Sequence, residues 1–446
     1  MYILLAILIF GVLIFIHELG HFLVARACGV EILEFAIGMG PKLLSWTSKK
    51  TGTKYALRLF PIGGFVSMLG ENGMEAVQGS SDAPTADLLI NTEEPETEAP
   101  TPDPERAKRA YCNQSVWKRI LISIAGPAMN VILGFVLMLV MVLASGEAAI
   151  GTTDIAGFYV EYFAEQSAFG LEKGDNVIAL DGVEIRSIAQ MKELIAQKES
   201  ATFSLTLRRL VENEVVELTL EEVSLTEDLL NASFRASLSE QSGLQINDRV
   251  IKVNKTRVHT YNELAYEIMN QGYKPLTLTV LRNGEETVLE NVIVPTYTES
   301  GVTFGDLDFM VFREKSFDLP TILKHTWFRS VSTVKMVFDS LAGLFSTRYG
   351  IEAVSGPIGI TKTISDVAKM GWLNVLYLVT VISINLGVMN LLPVPALDGG
   401  HLLLYVIELI RRKPVKPEVE SVINFIGLVL ILALAVIISI KDIITL

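Results

Sequence analysis

Only two of the 446 residues are cysteine, Cys28 and Cys112, so no disulfide framework holds this chain together. Charge is missing where a secretory leader would carry it: Tyr2 to Ile16 contains no charged residue. That segment lacks a basic start, its apolar run is long, and HELGH stands where a small-residue cleavage site should be, which reads against an ordinary signal peptide. Positive charge is scarce overall. A formal net charge of −13 argues against a nucleic-acid partner. Lys and Arg are also absent from Ser145 to Gln166, a local gap that bears on orientation.

What is abundant is apolar surface. Half the residues are hydrophobic and the mean hydropathy is +0.42. Four runs are long enough to span a bilayer, which takes about 20 residues: Tyr2–Ala25, Ile120–Ala144, Trp372–Leu392 and Val422–Ile440. Basic residues near the span ends set the expected orientation. Arg26, Arg106, Lys108, Arg109, Lys118 and Arg119 flank the loop between spans one and two; Arg411, Arg412, Lys413 and Lys416 occupy the loop between spans three and four. Both loops are expected in the cytoplasm, with both termini and the large middle region outside and both cysteines on the reducing side.

The most informative stretch is Ile14 to Ala25, IFIHELGHFLVA, which sets costly polar side chains inside an apolar run. His17 and His21 are four apart and share one helix face, with Glu18 about 100° round from His17. In this HExxH arrangement two imidazoles bind zinc and the Glu acts as general base toward water. An ionisable group at bilayer depth costs roughly 2.5–3.5 kcal/mol on insertion scales, so it marks function more often than structure. The competing reading is a histidine pair satisfied by neighbouring helices.

A catalytic zinc takes three protein ligands, so one is still missing. The third apolar span ends in Asn390-Leu391-Leu392-Pro393-Val394-Pro395-Ala396-Leu397-Asp398-Gly399-Gly400-His401, where two prolines and two glycines break the helix around an acid. Freed backbone groups inside a membrane must be satisfied, and presenting a carboxylate to a metal is a reason for the break. Asp398 is the chosen third ligand; His401 is the competitor, alternatively a cap or interface residue.

Elsewhere, Tyr55 to Leu69 reads as two short β segments around Pro61, Gly63 and Gly64, either dipping into the membrane beside the metal or forming a small cytoplasmic hairpin. Glu71 to Glu105, rich in Glu, Asp, Thr and Pro, reads as a disordered linker. Residues 154–222 and 228–296 are two copies of one unit: Gly170 to Ile178 aligns with Gly243 to Ile251 at a constant offset of 73 residues, and Ile185 meets Val258. Each copy continues into a helix (Ile188–Gln197; Tyr261–Asn270) and a strand pair. The second pair is joined by Asn283-Gly284, a tight-hairpin signal. The order and the GLxxGDxVI signature resemble the PDZ domains attached to bacterial proteases, modules that take up a peptide end as an added strand. The alternative is a pair of β-rich spacers. From Leu319 to Phe345, Leu323, Trp327, Val331, Val334, Phe338, Leu341 and Phe345 recur at helical spacing, an amphipathic helix lying on the membrane or packed on the outer domains.

Taken together, HELGH, the Ala125–Asn130 run AGPAMN, NLLPVPALDG and the PDZ-like insertions resemble the site-2 proteases, intramembrane zinc metalloproteases, with bacterial regulators of sigma-factor signalling closest in layout. The resemblance implies zinc on His17, His21 and Asp398, with Glu18 activating water. It implies that Pro61–Met68, including Gly63, Gly64 and Phe65, is a membrane-re-entrant β element holding substrate as a strand. It also implies that Asn390 helps position substrate or the active-site loop; Asn130 is a further candidate near the reacting carbonyl, or else hydrogen-bond glue between helices. The expected fold is a polytopic α-helical membrane protein of a bacterial inner membrane. It has four transmembrane helices, one broken, a membrane-associated β-hairpin and two extracytoplasmic α+β PDZ-like domains. Its expected divisions are 1–70, 71–116, 117–146, 154–222, 228–296, 316–350 and 351–446. The expected activity is cleavage of single-span membrane proteins already cut outside, such as anti-sigma factors or signal-peptide remnants. The other class weighed is a metal-binding membrane scaffold or transporter presenting PDZ modules.

Overall fold

The structure, a computed structural model, describes residues 2–71, 104–144, 151–165, 169–198, 202–211, 214–299, 301–313, 318–346, 348–350 and 354–445. The chain opens with α1 (Tyr2–Ala27), the long strands β1 (Ile32–Thr47) and β2 (Lys54–Met68), and α2 (Val116–Ala144). There follow β3 (Gly151–Phe158), β4 (Val160–Tyr162), β5 (Asn176–Leu180), β6 (Val183–Glu184), α3 (Ile188–Gln197), β7 (Thr202–Val211) and β8 (Glu214–Ser224). Next come α4 (Glu227–Ser233), β9 (Phe234–Ala236), β10 (Arg249–Val253), β11 (Thr256–Arg257), α5 (Tyr261–Gln271), β12 (Leu276–Arg282) and β13 (Glu285–Val292). The last part holds β14 (Thr296–Glu299), β15 (Val302–Gly305), β16 (Phe309–Arg313), α6 (Leu319–Phe345), α7 (Pro357–Lys369), α8 (Trp372–Asn390), α9 (Asp398–Arg411) and α10 (Pro417–Thr445). These elements form two compact units: residues 1–144, 333–342 and 351–446 in one, 145–332 and 343–350 in the other.

Among the described residues of the first unit, α1, α2, α8 and α10 are long and apolar enough to cross a membrane, making this a polytopic membrane protein with β domains. Small residues let the helices touch backbone to backbone, the packing that associates helices in lipid. A Cβ on Gly20 of α1 would lie 2.4 Å from the Ala125 carbonyl of α2, and one on Gly387 of α8 would lie 2.7 Å from the Pro127 carbonyl. Ser383 of α8 donates to the Asn130 carbonyl at 2.7 Å. The expected helix break falls at the end of α8, where residues 391–397 turn before α9 begins at Asp398.

The ribbon β1–β2 is folded twice. Residues 32–37 pair on one side with 64–68 (Phe35 with Val66, Ile37 with Gly64) and on the other with 54–57 (Phe35 with Tyr55), which in turn pair with 44–47. Positive φ at Gly38, Gly40 and Gly63 allows the bends, which a side chain would resist. Residues 64–68 are thus one rim of the ribbon, and no further strand pairs there among the described residues. The opposite rim carries Leu43, Leu44 and Trp46 exposed.

The expected linker divides. Residues 72–103 lie outside the described residues, but 104–113 are folded onto the ribbon: the Tyr111 N–H donates to the Leu69 carbonyl, and the buried Tyr111 hydroxyl meets that of Tyr405 at 2.8 Å. An aromatic anchor thus takes the end of 71–116 out of the linker.

The second unit bears the repeat in detail. Gly170 and Gly243 both have positive φ. Buried Asp175 and Asp248 each accept from an arginine, Arg209 and Arg282, at 2.7 Å, and those arginines also reach the carbonyls of Gly170 and Gly243. Every one of these pairs is separated by 73 positions. Asn283 and Gly284 make the two-residue turn with φ of 52° and 89°. Strand pairing, however, crosses the bounds 154–222 and 228–296. One sheet runs β8-β7-β5-β4-β9, so Phe234–Ala236 completes the first module. The other runs β13-β12-β10-β3-β16, so Gly151–Phe158 completes the second. A one-residue crossover at Tyr159 separates Phe158, in the core of the second module, from Val160, in the core of the first.

In α6 the buried stripe is Ile322, Thr326, Ser330, Thr333 and Val337, while Leu323, Trp327, Val331 and Phe338 are exposed. Of the expected stripe these four point outward, while Val334 and Leu341 pack with Val337, Ile384 and Val388, and the rest of the buried face is rich in hydroxyls.

Candidate metal centre

His17 and His21 lie one turn apart on α1, and the turn after α8 brings Asp398 to them from nearly four hundred residues away. The two Nε2 atoms are 3.2 Å apart, and Asp398 places Oδ2 3.1 Å from His17 Nε2 and Oδ1 3.5 Å from His21 Nε2. Ligands at zinc-ligand distance of about 2.0–2.1 Å in a tetrahedral array stand about 3.3 Å from one another. The three donors fit that array, and they are the one such His/Asp group among the described residues.

Each donor is held from behind. The Nδ1 of His21 donates to the Ile122 carbonyl at 2.7 Å, which leaves Nε2 with its lone pair free for a metal. Gly126 makes room for that ring: a Cβ there would meet His21 Nε2 at 2.3 Å. His17 Nδ1 lies 3.4 Å from the Asn130 side-chain nitrogen, while the Asn130 amide oxygen is buried without a partner. With the amide turned over, that oxygen would accept from Nδ1–H. Ser123 donates to the Asp398 carbonyl at 3.1 Å. Gly399 and Gly400 let α9 start tight against the turn, since a Cβ on Gly399 would sit 2.0 Å from the Leu392 carbonyl oxygen.

The three donors open onto a cavity of about 220 Å³, which Glu18 and the rim residues Phe65, Val66 and Met68 also line. Glu18 lies beside the Val66 backbone. Gly64 passes so close that a Cβ would lie 3.1 Å from Glu18 Cγ. His17, Glu18, His21, Asp398, Phe65 and Gly64 are therefore brought together. Gly63, Asn130 and Asn390 are not in the cavity lining. Gly63 bends the ribbon against Met39, Asn130 stands behind His17, and Asn390 ends α8 half-buried. His401 does line the cavity but turns its Nδ1 to Glu420 of α10, at 2.9 Å, and belongs to no donor group.

Sequence reasoning missed the Ile122 carbonyl, Ser123 and Gly126. A backbone carbonyl has no residue signature. The AGPAMN run was visible, but its spacing from HELGH says nothing of which atoms meet.

Residues 5–434 match the model of peptidase family M50. A Clostridium acetobutylicum protein bearing a zinc-metalloprotease name is 30% identical over 446 residues, covering 99% of this chain and 97% of its own length. The zinc metalloprotease RasP of Geobacillus kaustophilus is 29% identical, covering 98% of this chain and 96% of its own. The regulator of sigma-W protease RasP of Bacillus subtilis is 28% identical, covering 98% and 97%.

Proposed function

The chain belongs to peptidase family M50, the site-2 proteases, and is a zinc metalloendopeptidase; from that premise we propose that it cuts peptide bonds within the membrane, using His17, His21 and Asp398 to hold zinc and Glu18 as the base. The observation that carries this reading is the convergence of those three donors on a cavity shared by Glu18 and a β rim that no further strand pairs among the described residues. Bound zinc supplies a Lewis acid and lowers the pKa of water to about 7. Glu18 takes the proton of the attacking water and passes it to the leaving amine nitrogen.

A peptide bond within a helix is shielded and its carbonyl already bonded, so the substrate must unwind locally before attack. Residues 64–68 offer the unwound segment a strand to pair with, with Gly64 giving room beside Glu18 and Phe65 contacting the side chains. Gly63 sets the bend that presents this rim. Asn130 acts by steadying His17, and Asn390 by ending α8 before the turn that carries Asp398.

The substrates are single-span membrane proteins first shortened outside the membrane, with anti-sigma factors and signal-peptide remnants as the two classes that fit. The basic loops support an orientation with both termini and the β modules outside the inner membrane. There the modules, PDZ-like in order and signature, bar substrates whose outer domain is intact.

The test is Glu18→Gln in purified protein. It is expected to keep about one zinc per chain and to lose cleavage of a model transmembrane peptide. Cleavage at the wild-type rate would discard the mechanism.

A further inference from the structure

Resting on the metal-site reading above, we propose that α10 is the positioning element for the third ligand, with Asn424 and Gly427 fixing the turn that presents Asp398. Ala396, two residues before Asp398, has φ of 70°, a left-handed conformation that a residue with a Cβ adopts only when something holds it. That something lies on α10. The Ala396 N–H donates to Asn424 Oδ1 at 3.3 Å. One turn on, Gly427 lies against Pro395 so closely that a Cβ would be 2.4 Å from Pro395 Cβ and 2.6 Å from its carbonyl oxygen. One turn back, Glu420 binds His401 at 2.9 Å, gripping α9 one turn beyond Asp398.

Positions 420, 424 and 427 share one helix face. Outside that face α10 is largely exposed: Val422, Phe425, Ile426, Leu430 and Leu432 all present apolar side chains outward. At its far end Asp442 accepts from the N–H groups of Gly356 and Gly359, both at 2.9 Å. An apolar helix fastened at its two ends by polar contacts therefore backs the turn. The freed N–H of Ala396 is the sort of group that would go unsatisfied in a membrane without it. Neither Asn424 nor Gly427 touches the metal donors; they act through the backbone of residues 395–397.

The experiment loads the full-length protein in detergent with cobalt(II), whose visible spectrum reports coordination, and follows metal loss to a chelator. Asn424→Leu and Gly427→Leu are compared with Leu430→Ala on the exposed face. Both positioning variants are expected to release metal about 10–100-fold faster, as loss of ligand-supporting contacts does. They are also expected to weaken the tetrahedral cobalt bands, while Leu430→Ala behaves as wild type. Asn424→Asp, which keeps the acceptor oxygen, is expected to recover much of the retention. Wild-type spectra and release rates in Asn424→Leu would overturn the proposal, and that variant decides if Gly427→Leu does not fold. A wild-type chain that takes up no cobalt would instead sink the metal-site reading on which the proposal rests.

Discussion

Buried carboxylates appear in both units, and they serve opposite ends. In the β unit Asp175 and Asp248 are each 1% exposed and each is answered by one arginine, with the neighbouring backbone N–H groups of Glu172 and Gln245 completing the set. Nothing is left over for a ligand. In the helical unit Asp398 faces two imidazoles, all three with donor atoms directed at one point and a cavity beside them. A carboxylate matched to one fixed cation holds a loop. One set beside two imidazole nitrogens at these spacings is a donor set suited to a divalent ion.

The sharpest way to break this comparison is to make the same change in both places. Asp398→Asn is expected to lower zinc affinity by more than about 10²-fold and to abolish cleavage while the protein still melts cooperatively; metal analysis and a thermal melt check it. Asp248→Asn is expected to do the reverse. It weakens the bonds from the partly exposed Arg282, costs about 1.5 kcal/mol and lowers the melting temperature of the β unit, with zinc content unchanged. Zinc loss in the second variant would show that the two kinds of carboxylate are not separable.

The smallest effect concerns a buried base. His325 on α6 is 4% exposed, and burial beside Lys324 and Arg329 pushes its pKa down to about 4. The unfolded chain takes up that proton near 6.5, so His325 adds stability above pH 6.5 that is lost as pH falls toward 4. Melting temperature followed over that window should fall with acidification, and His325→Phe should flatten the part due to this residue.

Much of the site was legible because its first half is local. His17, Glu18 and His21 lie within five residues, and a charged cluster in an apolar run stands out. Asp398 was legible for a different reason: prolines and glycines broke a span around one acid. Asn424 and Gly427 were not, because Asn and Gly in an apolar helix carry no mark of what they face. The β repeat was visible at its offset of 73, down to Gly170 and Gly243. The strand pairing was hidden, since alternation fixes which face a strand buries and not which sheet it joins.

That pairing ties the fate of each β module to the other. Neither is a bead that could be clipped from the chain: cutting out 154–222 would take most of β3 from the second sheet and leave β9 without β4, and cutting out 228–296 would take β9 from the first. The pair is a single cassette, to be inherited, transplanted or lost whole.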